Sequence, residues 1–119
     1  MVKLTVMYPN LPDTSFNMHY YLHTHMELVK SKLGNYLKGF MVEEGITGDV
    51  SPDSKPGDNK VPAPFVVIAN LFFNSIEDLY QSFMPNLEVL VADCPNFTDI
   101  NVKIQISRVT GFYMQSTMV

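Results

Sequence analysis

A single cysteine, Cys94, in 119 residues excludes an intramolecular disulfide and any cysteine-rich metal site, and fits a reducing compartment, here expected to be the cytoplasm. Its neighbours Asp93 and Pro95 give none of the electropositive surroundings that activate a thiol, so Cys94 reads as a packing residue. Basic side chains are also few: eight Lys and Arg stand against twelve Asp and Glu, for a net charge of -4. They are scattered along the chain and form no basic stripe, which argues against a nucleic-acid partner. Long hydrophobic runs are lacking too. The longest, Phe65 to Phe73, is interrupted by Asn70 and falls well short of the roughly 18 residues that cross a bilayer, so no membrane association is expected. Met1 to Tyr8 lacks the basic and apolar regions of a signal peptide, which disfavours secretion. No nucleophile elbow, phosphate loop or dinucleotide fingerprint occurs, so no cofactor is expected.

What remains is 46% hydrophobic and 17% charged, ample for one core and suited to a single domain over 1–119. Val2, Leu4, Val6 and Tyr8 alternate with Lys3, Thr5 and Met7 at the period of a strand. After a turn containing Pro9 and Pro12, Asn17 is a good N-cap, with Phe16 and Tyr21 spaced to staple the helix entry. That helix is expected from Met18 to Leu33, ending at Gly34. Its apolar stripe is Met18, Tyr21, Leu22, His25, Leu28, Val29 and Leu33.

A second strand is expected within Tyr36 to Glu44. The stretch from Gly45 to Pro64 is rich in turn residues, a long loop that serves either as a functional lid or as a mobile connection. Phe65 to Phe73 is apolar on both faces and reads as a strand covered on each. Ser75 with Asp78 opens a second helix carrying Ile76, Leu79, Tyr80, Phe83, Leu87, Leu90 and Val91, with a kink or restart at Pro85. Ile100, Val102, Ile104 and Ile106 form a fourth alternating strand, and Gly111 to Val119 shows no pattern.

The order βαββαβ predicts an α+β, ferredoxin-like fold with antiparallel sheet order 4-1-3-2 and both helices on one face. The same reading puts the first and third strands at the centre and parallel. The other sheet face then needs a cover, and a homodimer is the simplest one.

Several segments together resemble the EthD family: the strand ending in Tyr8-Pro9-Asn10, the Phe16-Asn17 helix entry, Tyr20-Tyr21-Leu22 leading to His25 and Leu28-Val29, and Asp93-Cys94-Pro95-Asn96-Phe97-Thr98-Asp99 before Gln105. The resemblance implies a dimeric α+β barrel. It also implies a pocket for an apolar or aromatic small molecule, since superfamily relatives act on such molecules as monooxygenases, isomerases, decarboxylases or dehydratases. The family pattern usually has Asp where this chain has Asn17, and Pro where it has Glu27.

His25 is the candidate catalytic residue. It lies in an apolar helical stripe, where a lone histidine is often a core residue bonded to a carbonyl. The matched family position sets beside that reading, on equal terms, a ligand-facing imidazole that donates, accepts or shuttles a proton. Tyr21, Leu22, Val29 and Phe83 are the expected pocket residues, between helices and sheet. His19, His23 and Glu27 are spaced like metal ligands, but on the opposite, solvated face, where an ordinary His-Glu surface is the simpler reading and no metal is expected. Two functions remain: a small-molecule enzyme using His25 for proton transfer or cofactor-free oxidation, and a non-catalytic protein that sequesters an apolar metabolite.

Overall fold

The computed structural model describes residues 1–48, 52–55, 57 and 61–116. Four strands, β1 (Val2–Pro9), β2 (Gly39–Glu44), β3 (Phe65–Phe73) and β4 (Lys103–Arg108), form one sheet in the order β2-β3-β1-β4, the reverse reading of 4-1-3-2. Every neighbouring pair is antiparallel, β1 and β3 included, with Leu4 opposite Leu71 and Tyr8 opposite Val67. The parallel central pair expected from the sequence is therefore corrected. Each helical crossover skips one place in the sheet, so β1 and β2 run the same way. The β2–β3 hairpin then reverses direction and sets β3 against β1.

Helix α1 covers 18–33 in three parts: α-helical Met18–Tyr20, a π-helical turn Tyr21–His25, and α-helical Met26–Leu33. Its start follows from Asn17, whose side chain accepts from Tyr20 N at 3.0 Å, and from Phe16, which stacks edge-on against Tyr21 with ring centroids 5.0 Å apart. It ends at Gly34, whose φ of +57° suits a residue without Cβ. Gly34–Tyr36 then forms one 3₁₀ turn, so β2 starts at Gly39, later than the Tyr36 start expected. Helix α2 covers 76–93: Ile76–Phe83, one 3₁₀ turn Met84–Asn86 at Pro85, and Leu87–Asp93. Ser75 caps it through Asp78 N at 3.1 Å.

Leu4, Tyr8, Val67, Ala69, Leu71 and Phe73 line one sheet face and are buried beneath Tyr21, Met26, Val29 and Leu33 of α1 and Leu79 and Leu90 of α2. Among the described residues, no helix lies on the opposite sheet face. At the end of β2 the hairpin continues through Gly45 N to Val66 O (2.9 Å) and Gly48 N to Val61 O (2.7 Å). Of the loop's turn signals, Ser51, Pro56 and Asp58 lie outside the described residues. Among the described residues, no helix is long and apolar enough to cross a membrane.

Candidate active site

The π-helical turn decides what α1 shows to the sheet. Met26 N–H bonds to Tyr21 O, five residues back, so this turn holds one residue more than an α-helical turn. Tyr21 and His25 consequently lie almost directly above one another, with rings 5.5 Å apart and within 18° of parallel. The same widening swings Leu22 out and Met26 in. Leu22, placed by the ideal helical period among the pocket residues, is 38% exposed and does not line the cavity, whereas Met26 is buried.

A second set of contacts brings distant sequence to His25. The loop before α1 is tied to the connection after α2 by Asn17 N to Phe97 O at 2.8 Å, Ser15 N to Asp99 Oδ1 at 3.0 Å and Thr98 Oγ1 to Ser15 O at 2.7 Å. Phe97 packs against His25 with ring centroids 4.6 Å apart. These ties set the end of α2 beside α1. Asp93 Oδ2 thereby lies 2.9 Å from His25 Nδ1, while Asp93 Oδ1 accepts from Tyr20 Oη at 2.7 Å and from Asn96 Nδ2 at 3.0 Å. Partial burial works to raise the Asp93 pKa, but the hydrogen bonds from Tyr20, Asn96 and His25 outweigh it and hold the carboxyl below its ordinary value. Asp93 is therefore a carboxylate at neutral pH and accepts a hydrogen bond from His25 Nδ1–H, so that Nε2 is the nitrogen left to take up or give a proton.

Nε2 has no hydrogen-bond partner among the described residues, and no partnerless polar side-chain atom there is sealed from the surface. His25 itself is only 6% exposed. It lines a cavity of 80 Å³ between the helices and the sheet, with Val6, Tyr8, Tyr21, Val29, Phe83 and Val102 among its walls. Of the residues expected in the pocket, the structure brings together His25, Tyr21, Val29 and Phe83. Asp93 and Tyr8 were not foreseen as site residues. Asp93 stood in the segment that carried the family resemblance, but nothing local in the sequence pairs it with a histidine 68 positions away. Cys94 also borders the cavity, and its thiol is pushed up by burial and then by the Asp93 charge, so it stays protonated and packs. On the far side of α1, His19 and His23 stand 4.5 Å apart by ring centroid, and Glu27 pairs with Lys30 at 3.6 Å. Among the described residues, no three His, Cys, Asp or Glu side chains are grouped to hold a metal.

Comparison with known proteins bears on the whole arrangement. An EthD-like protein from Ralstonia eutropha JMP134 has a crystal structure that superposes with a TM-score of 0.81 at 31% identity, covering 92% of each chain. An ethyl tert-butyl ether D family protein from Bacillus halodurans C-125 (TM-score 0.59, 15% identity, 91% of this chain and 97% of that one) shares the fold. So does a protein from Arabidopsis thaliana (TM-score 0.60, 16% identity, 96% of this chain and all of that one). No curated protein matches the chain. The EthD domain model matches residues 10–101, a span that includes α1, α2 and both members of the His25–Asp93 pair, and the chain belongs to the EthD family.

Proposed function

We propose that this chain is a small-molecule enzyme that moves a proton on an apolar or aromatic metabolite, with His25 as the base. The observation that carries this reading is the His25–Asp93 pair: a carboxylate held at Nδ1 sets the ring tautomer and leaves Nε2 without a partner among the described residues, on a side chain that lines an apolar cavity. A histidine kept only for packing has no need of a dedicated carboxylate that is itself held by two further hydrogen bonds. When Nε2 takes a proton, the imidazolium forms 2.9 Å from Asp93, and that charge stabilises it where little water competes. Tyr20 and Asn96 act as positioning residues, because they touch Asp93 and not the cavity. Isomerisation, dehydration and decarboxylation each need such a transfer.

The test begins with native mass spectrometry for a copurified small molecule. Deuterium incorporation from D₂O into that molecule, and into a panel of small ketones and nitroalkanes, is then followed by NMR. Wild-type protein should catalyse exchange, and His25→Gln should slow it tenfold or more, the usual scale of general base catalysis or below. Exchange at an unchanged rate in His25→Gln would end the proposal.

A further inference from the structure

The cavity holds a second polar feature that proton transfer by His25 alone does not use. Tyr8 and Tyr21 are each 98% buried, being only 2% exposed, and both line the cavity beside His25. Their rings meet edge to face at 5.7 Å. Among the described residues neither hydroxyl has a hydrogen-bond partner, yet neither is sealed from the surface. Two phenols buried this deeply in an aliphatic pocket normally find partners. The Tyr21 proton is thus left for an acceptor that enters the cavity.

We infer that the Tyr21 hydroxyl, with Tyr8 beside it on the cavity lining, is the binding site for the oxygen of a small ketone, whose adjacent carbon is presented to His25 Nε2. This rests on the reading of His25 as a base and names the substrate class it acts on. The stacking of Tyr21 on His25 sets donor and base side by side on one wall, the arrangement that abstraction of a proton next to a carbonyl requires. Nε2 takes the proton from the α carbon, and the C–H electron pair becomes a carbon–carbon double bond. The carbonyl π pair moves onto oxygen, where the Tyr21 proton meets it. Return of the proton from Nε2 to the same or a conjugated carbon completes an isomerisation with no oxidant or reductant. Burial pushes the Tyr21 pKa up to about 12 and that of Tyr8 above its ordinary value, so both phenols remain donors throughout the neutral range.

Size and entrance agree with such a ligand. The cavity's 80 Å³ is about half of the ~150 Å³ apolar cavity known to accept benzene, so it encloses the carbonyl end of a molecule. The remainder lies in a mouth bordered by Val91, Val102 and Ile104, all exposed and apolar.

Cyclopentanone and its isostere methylenecyclopentane, which lacks the oxygen, serve as probes. The infrared carbonyl band of cyclopentanone bound to wild-type protein should lie below its position in hexane, as for a hydrogen-bonded carbonyl. In Tyr21→Phe the band should move back and the ketone should bind ~5-fold or more weakly, while the hydrocarbon binds as well as before or better. Tyr8→Phe should give a smaller change in the same direction. If Tyr21→Phe does not fold, the band position in wild-type protein decides alone. A band unshifted from hexane, no binding of the ketone, or equal losses for both probes in Tyr21→Phe would overturn the inference. Deuterium exchange at the α carbons is read separately. A shifted band without His25-dependent exchange leaves the oxygen site standing and removes the base, whereas exchange that ignores Tyr21→Phe removes the oxygen site and keeps the base.

Discussion

At the scale of single residues, Asp93 governs the site although it touches only other protein groups. Its carboxylate fixes which nitrogen of His25 carries the proton, and an amide in its place can present N–H to Nδ1 and stabilise the wrong tautomer. Asp93→Asn should therefore slow deuterium exchange by at least tenfold with little change in probe affinity, a split that simple loss of folding would not produce. The same residue leaves a mark on acid stability. Its pKa is lowered in the folded chain, where hydrogen bonds outweigh burial. Its ionised form therefore contributes stability that is present above the ordinary carboxylate value of about 3.9 and lost as pH falls through the folded value. As pH falls below the ordinary carboxylate value, the wild-type melting temperature should fall more steeply than that of Asp93→Asn. Parallel curves would mean that the three hydrogen bonds do not favour the carboxylate.

At the scale of elements, the helix ends were legible because their signals are local. Asn17, Ser75 and Gly34 each act within one turn of chain, and Pro85 falls at the 3₁₀ turn between the two halves of α2. The π-helical turn was not legible, since Tyr21–His25 contains neither Gly nor Pro and no other local signal for an extra residue. The sequence therefore put His25, Tyr21, Val29 and Phe83 at one pocket but assigned Leu22 to the wrong side of the helix. Asp93 was missed for a related reason: its partner is chosen by the docking of two loops around Phe97, a tertiary event with no sequence period. The widened turn makes opposite forecasts for two neighbouring apolar positions. Leu22→Gln should change stability by no more than about 0.5 kcal/mol, and Met26→Ala should cost about 2–5 kcal/mol as a core truncation. Thermal or denaturant unfolding of the two variants checks this, and a costly Leu22→Gln with a mild Met26→Ala would restore the ideal α-helical register.

At the scale of the whole molecule, the expected assembly is a homodimer, argued from the sheet face that no helix covers. There β1 presents Lys3, Thr5 and Met7, β3 presents Ile68, Asn70 and Phe72, and β2 presents Met41 and Glu43. The polar groups at its centre are already paired, with Thr5 Oγ1 donating to Asn70 Oδ1 at 3.2 Å and Asn70 Nδ2 to Glu43 Oε2 at 2.9 Å. A second sheet laid over this face would bury Met7, Ile68, Phe72 and Met41 without leaving Thr5 or Asn70 unsatisfied. Because apolar contact provides the attraction while each chain carries a net charge of -4, added salt should screen repulsion and leave the dimer intact. Light scattering at micromolar concentration should give about twice the chain mass of 13.5 kDa, at low and high salt alike. Ile68→Lys combined with Phe72→Lys should yield a monomer whose circular dichroism matches wild type, since both side chains point away from the core between sheet and helices. A monomeric wild-type protein with an intact fold would refute the dimer. A double variant that still dimerises would move the interface to the exposed edge strand β4, where Ile104 (51% exposed) and Ile106 lie on the helix side of the sheet and Ile104 borders the cavity mouth.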